Sequence, residues 1–240
     1  MTGAFLNSIG ILLGALFGLA RRTPLSERSQ IFFRQALGAA AVFAGLRLVW
    51  LHINGTFLAC AGQLLIALVA ITLGCWVGRL LRLQKISNRL GRHAGNLIAA
   101  TQSKAPPSAG EGFIACTILF CAAPLGCLGA VTDGLAGDYY LLAVKAVMDG
   151  LAMSSFVKMF HWPAALSAFP VYALLGAVTL GCQVFAKPWL EAHGLIDSVS
   201  VTGGLLACVV ALVILEARKV ELASYLPGLV VAPLLTWLFH

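Results

Sequence analysis

Two opposite charges, Lys145 and Asp149, stand four residues apart inside an apolar stretch running from about 139 to 157. At a helix centre in a bilayer each charge costs about 2.5 to 3.5 kcal/mol, and i, i+4 spacing lets the two face each other, so they are expected to pair. The pair has two readings. Asp149 can take a cation or proton while Lys145 offsets its charge or meets an anionic substrate, or the two form a neutralised contact that fixes helix packing. A second candidate lies in the stretch 119–129, where Phe120 and Cys121 precede Pro124, with Gly126 and Gly129 beyond. Pro124 removes one amide hydrogen bond and frees the carbonyl near Phe120. A broken helix there would offer backbone dipoles to an ion or solute, and a plain proline kink is the alternative. Asn7 is a further polar side chain at membrane depth. Asp133 and Asp138 fall in what reads as an outer turn, where they either draw a cation to an entrance or are ordinary exposed turn residues. The expected binding set is therefore Lys145, Asp149, Pro124, Phe120, Cys121 and Asn7, with Asp133 and Asp138 at the outer entrance.

Other chemistries find no matching pattern. His52 and His161 sit near opposite membrane faces, and the seven cysteines lack two-residue ligand spacing, so no metal set is expected. One carboxylate, thiols and scattered histidines do not make a catalytic constellation, and the chain is not expected to be an enzyme. No phosphate-binding loop or nucleotide fingerprint is present, and no cofactor is implied.

The elements that must position these residues are membrane helices. Of 240 residues, 60% are hydrophobic and 10% charged, with mean hydropathy +0.93, which rules out a soluble globule. The net charge of +7 is dispersed over several gaps without interleaved aromatics, which argues against nucleic acid as a partner. Apolar stretches cover about 4–20, 31–51, 57–80, 112–131, 139–157, 164–186 and 201–216, with a shorter one at about 226–239. They are continuous and lack strand alternation, so the expected fold is all-α, a polytopic transmembrane helix bundle of about seven spans. The first run has its positive charges after it, which marks a permanent helix with its N-terminus outside and no cleavable signal. That placement puts twelve of the sixteen Lys and Arg residues in or beside cytoplasmic loops, with Lys187 outside and Arg34, Arg47 and Lys145 within spans. Arg34 and Arg47 lie near span ends, where their heads can snorkel.

Residues 81–111 separate a three-span unit, 1–80, from a unit of four spans plus the tail, 112–240. Ile86, Leu90, Leu97 and Ile98 alternate with Lys85, Arg89 and Arg92, which suits either a helix on an anionic leaflet or a solvated loop. The part from 101 to 112, with Pro106 and Pro107, reads as a linker. The tail carries Pro227 and Pro233 and, from Leu226, extends only about 22 Å as a helix, so a re-entrant or short tilted segment is expected. Gly10, Gly14 and Gly18 on the first span, and Gly74 and Gly78 on the third, let backbones approach closely, within the chain or at a homo-oligomer interface. The stretches 72–77 and 179–184 share Thr-Leu-Gly-Cys and a closing Val, which suggests an inverted repeat.

The block 119–129, the Asp133-Gly134 and Gly137-Asp138 pairs and the Lys145…Asp149-Gly150 helix resemble a bacterial integral membrane family. That family is catalogued as domain of unknown function 554, with YqgA-like and YdfK-like members. Gly3, Asn7, Gly10 and Gly14 resemble its opening, and Leu226-Pro227 its closing element. Ala123 stands where a glycine commonly precedes the proline, and Tyr172-Ala173-Leu174 where Tyr-Gln-Gly is frequent. The resemblance implies a multi-pass protein of the bacterial inner membrane with about seven spans, and brings no substrate. Two functions remain: a secondary transporter or ion-conducting protein for a small solute or ion, or a membrane scaffold or regulatory partner using its glycine faces and basic loop.

Overall fold

A computed structural model of the chain describes residues 1–21, 26–103, 109–218 and 220–239, and these fold into helices and turns. In chain order the helices are α1 (Thr2–Ala20), α2 (Glu27–His52), α3 (Phe57–Leu80), α4 (Leu83–Ser103), α5 (Ala109–Cys121), α6 (Pro124–Ala136), α7 (Tyr140–Phe160), α8 (Ala168–Gly181), α9 (Lys187–Ala192), α10 (Ile196–Ile214), α11 (Leu222–Tyr225) and α12 (Gly228–Phe239). A 3-10 turn, Trp162–Ser167, leads into α8, and a π turn, Cys182–Ala186, joins α8 to α9 just before Pro188, whose ring cannot continue regular α geometry. Seven segments are long and apolar enough to cross a membrane. An eighth is the bent pair α5–α6, whose axes meet at 58°. The all-α membrane bundle is thus observed, with a short closing segment that starts a turn earlier than expected.

Side-chain caps start two of the long helices. Ser26 accepts from the Ser29 amide ahead of α2, and Thr56 accepts from the Ala59 amide ahead of α3. Close backbone approach then decides which helices pair. A methyl group added to Gly10 would lie 2.5 Å from the Ala146 carbonyl oxygen, and one added to Gly150 would lie 2.6 Å from the Gly10 carbonyl oxygen. Gly14 abuts Gly150 and Gly18 abuts Ser154, so the glycine face of α1 is spent inside the chain, against α7. Similar contacts pair α2 with α10 through Gly45 and Gly204, and α3 with α11–α12 through Gly78 with Ser224 and Gly74 with Gly228. Each span of the first unit therefore finds its main partner in the second.

The order of these contacts fixes relative direction. Residues 10, 14 and 18 of α1 meet 146, 150 and 154 of α7, so those helices are parallel. Gly38 meets Leu215 while Gly45 meets Gly204, and Gly74 meets Gly228 while Gly78 meets Ser224, so α2 and α10, and α3 and α12, are antiparallel. With α2 and α3 each reversing the chain, α7 can run parallel to α1 only if α5–α6 carries the chain across once more. The bent pair is a broken span and not a hairpin. The segment Leu222–Phe239 then returns the chain to the side where α1 begins.

Three sequence expectations change. The closing segment starts at Leu222, before the Leu226-Pro227 breaker, and its 18 residues reach about 27 Å. Of the expected linker, 101–103 belong to α4 and 109–112 to α5, whereas Pro106 and Pro107 lie outside the described residues, as do Arg22, Lys104, Lys219 and His240. Residues 132–136 are the last turn of α6 and not a loop, because Gly137 in the left-handed conformation (φ 70°) delays the C-cap. Within the matching 72–77 and 179–184 stretches Gly74 touches the Gly228 backbone, while Gly181 has no described atom within 4 Å of an added Cβ.

Outward surfaces match a lipid environment. Leu16, Phe43, Leu65, Phe169 and Phe185 are exposed, an apolar surface that water would not tolerate over this extent. Trp50, Trp76, Trp162, Trp189 and Trp237 are also exposed, each within about one turn of a span end, as an interfacial aromatic belt requires.

Candidate functional site

Asn7, Lys145 and Asp149 converge between α1 and α7, with exposures of 0%, 1% and 7%. The Lys145 ammonium donates to Asp149 Oδ2 at 2.5 Å, and the Asn7 side-chain amide donates to the same oxygen at 3.1 Å. The i, i+4 spacing on α7 makes the first contact. The second follows from the α1–α7 glycine seam, which brings the two backbones close enough for a short side chain to reach across. Asn7 Nδ2 must face the carboxylate, since its carbonyl oxygen there would meet like charge. Asn7 Oδ1 is thereby left buried with no hydrogen-bond partner among the described residues. An unsatisfied acceptor in a protein interior costs about 1 to 3 kcal/mol, which marks the place where a water, a proton or a ligand donor would be welcomed.

The break supplies the other wall. Ala123 is extended and Pro124 is the first residue of α6, so the backbone turns where Pro124 has no amide to offer. Gly126 passes the Lys145 side chain, an added methyl there lying 3.0 Å from Cε. The Phe120 ring stands 5.9 Å from the Lys145 ammonium, within cation–π range. Cys121 is half-buried in the apolar cluster around Phe120 and lies close enough to Lys145 and Asp149 to feel both charges. Of the expected set, Asn7, Lys145, Asp149 and Phe120 come together, and Pro124 adjoins them through Gly126.

A cavity of about 670 Å³ opens beside this cluster, between α2, α4, α7, α10 and the break. Its lining includes Gln30, Arg34, Gln84, Ser87, Ser155 and Glu216, and it reaches Pro124, Leu125 and Met148. The next residue along each helix is Gly126 and Asp149, both part of the buried cluster. At its rim Arg34 pairs with Glu216 at 2.5 Å.

Asp133 and Asp138 are not exposed turn residues: both are 6% exposed. Asp133 accepts from the Gly3 amide at 3.1 Å and lies 3.3 Å from the Met1 ammonium, so it caps α1. Asp138 pairs with Arg47 and accepts from the Tyr140 amide at 3.2 Å, and the Arg47 guanidinium lies 4.3 Å from the Tyr140 ring centroid. Burial pushes the Asp138 carboxyl above the usual carboxylate range, with the Tyr140 amide and Arg47 opposing it. Arg47 is thus held by a carboxylate where snorkelling was expected. One signal for Asp133 was available in the sequence: α1 carries no acid in its first turn and no side-chain cap, so its amides needed a distant acceptor. No group of three or more His, Cys, Asp or Glu able to hold a metal occurs among the described residues.

Comparison with known proteins gives one family match, a model described as "Protein of unknown function (DUF554)", over residues 2–237. The chain is 24% identical to "Uncharacterized membrane protein YdfK" of Bacillus subtilis (strain 168), over all of this chain and 97% of that protein. It is 27% identical to "Uncharacterized protein YqgA" of Escherichia coli (strain K12), over 96% of this chain and 94% of the relative. No solved structure matches.

Proposed function

The chain belongs to the DUF554 family of membrane proteins, and from that premise we propose, on the geometry of its own residues, that it is a secondary transporter or ion-conducting protein for a small ion or solute. One observation carries the reading: a cavity with a few polar groups on a largely apolar wall reaches Pro124, Leu125 and Met148, whose chain neighbours Gly126 and Asp149 belong to a buried Lys–Asp–Asn cluster with an acceptor oxygen that has no partner among the described residues. A cluster built only to hold helices together needs neither the cavity nor the spare oxygen. In this reading Asp149 takes the cation or proton, and Asn7 Oδ1 supplies a second acceptor. Lys145 is the tethered countercharge that keeps the empty site neutral.

The protein acts in the bacterial inner membrane, with its N-terminus outside. Ten of the described cations, from Arg21 and Arg28 through the α4 group to Arg218, lie toward the face where α1 ends, against Arg47 and Lys187 toward the other. Positive charge gathers on the cytoplasmic side, so the cavity opens inward. The bilayer is the partner the surface requires. No enzymatic step is assigned.

The test is flux in proteoliposomes with an internal pH-sensitive dye, challenged in turn with sodium, potassium and ammonium gradients. Wild type moves protons in response to at least one of them, and Asp149→Asn, which keeps the shape and loses the charge, does not. If the folded Asn variant matches wild type on every gradient that wild type answers, the pair is structural and the scaffold reading takes its place; a wild type that answers none overturns the ion-coupled reading.

A further inference from the structure

A second cavity, about 860 Å³, lies on an adjoining face of α4 and also touches the break. Its α4 wall presents Lys85, Asn88, Arg92 and Asn96, spaced i, i+3, i+7 and i+11, on one helical face. Gly91 and Gly95 line the same cavity, and neither has a neighbour among the described residues within 4 Å of where a Cβ would stand, so the glycines leave space where side chains would fill it. Its far wall is Leu119 and Ala122 through Pro124. No carboxylate lines it, and Lys85 and Arg92 have no acidic partner among the described residues. Two unpaired cations and two side-chain amides therefore face a space open enough for a ligand, walled by a helix and a chain break.

We propose that this cavity binds a phosphate group. The donor set decides the class. Lys85 and Arg92 stand about 10 Å apart along α4 with Asn88 between them, so a Lys ammonium, an Arg fork and one Asn amide can reach a single group. Two cations with no carboxylate on the wall suit the oxygens and charge of a phosphate, while Asn96 lines the cavity one turn further on. The location fits as well, since Ile86 and Leu90 are exposed apolar residues beside these cations on α4, as at a membrane interface. The phosphate comes either from an anionic phospholipid headgroup or from a soluble phosphate. Ser87, which lines this cavity and the first one alike, donates to the Ala122 carbonyl at 3.4 Å, so occupancy bears directly on the break. The proposal does not depend on transport.

The test uses the full chain in uncharged detergent and reads thermal unfolding against added phosphatidylglycerol, phosphatidylcholine, inorganic phosphate and chloride of equal ionic strength. Phosphatidylglycerol or inorganic phosphate should raise the Tm where phosphatidylcholine and chloride do not. Stabilisation by the lipid alone assigns a headgroup, and stabilisation by inorganic phosphate assigns a soluble ligand. Lys85→Gln with Arg92→Gln should weaken the apparent affinity at least about tenfold, the effect of losing roughly 1.4 kcal/mol of charge-assisted bonding. Gly91→Leu, which keeps every charge and fills the space, should weaken it too, and it serves if the double variant fails to fold. Arg82→Gln with Arg89→Gln, off the cavity, should leave it unchanged. A phosphate effect no larger than that of chloride overturns the site. So does a lipid effect shared by phosphatidylcholine, or a shift that survives Gly91→Leu and falls equally with the Arg82/Arg89 change, since diffuse surface charge would explain the last result.

Discussion

Asp149 accepts two hydrogen bonds on one oxygen, from Lys145 and from Asn7, in a site from which water is nearly excluded. Removing one charge strands the other in low dielectric, at about 3 to 5 kcal/mol, whereas removing both does not. Lys145→Met should therefore lower the unfolding temperature more than the double change Lys145→Met with Asp149→Leu. Thermal unfolding of both proteins in the same detergent checks the order, and a double variant less stable than the single one would mean that Asp149 is not stranded without Lys145 and contributes stability through other contacts, Asn7 among them. The Lys145–Asp149 contact was legible in the sequence because two charges at i, i+4 in an apolar run have few other ways to be satisfied. Asn7 was legible only as a polar residue at depth. Its place beside Asp149 depends on the α1–α7 seam, which joins residues 142 positions apart. Nothing local to 1–20 states that partner.

At the scale of the elements, small residues set the architecture. An added side chain at Gly14 would enter the Gly150 backbone, and neither helix can yield without opening the seam that holds Asn7 against Asp149. Gly14→Val should cost about 3 kcal/mol or more, at or beyond the upper end of ordinary overpacking. Gly62→Ala, with nothing within 4 Å, should be neutral or stabilising by up to about 1 kcal/mol. Comparing the two variants by unfolding temperature separates a packing cost from a general intolerance of glycine replacement. The glycine spacing of α1 was plain in the sequence, and so was the break at Pro124, since both are local backbone consequences of residue type. The end of α6 was not. Asp133-Gly134 has the composition of a turn, yet Gly137 provides the C-cap and Asp133 stays helical because it accepts from the α1 amide of Gly3. The closing segment is short, as expected, but its start was not legible, for a similar reason: Pro227 looks like a start, while Leu222 through Tyr225 already form a helical turn packed on Gly78.

For the whole molecule, the parallel and antiparallel seams fix an even number of crossings and leave the sides of the membrane to the charge distribution. A cysteine introduced at Ser103, at the end of α4, should resist an impermeant thiol reagent added outside intact cells and react once the membrane is opened. Ready labelling from outside would reverse the orientation, and the inward-opening cavity with it. The account rests most heavily on what occupies the space beside the buried cluster. An experimental density map at a resolution that reveals waters and ions, recorded near neutral pH, tests this directly. The account predicts ordered density within hydrogen-bond or ligand distance of Asn7 Oδ1 and Asp149, connected to the cavity at Leu125 and Met148. A dry, closely packed contact around all three side chains, with no solvent path from the cavity, would contradict it.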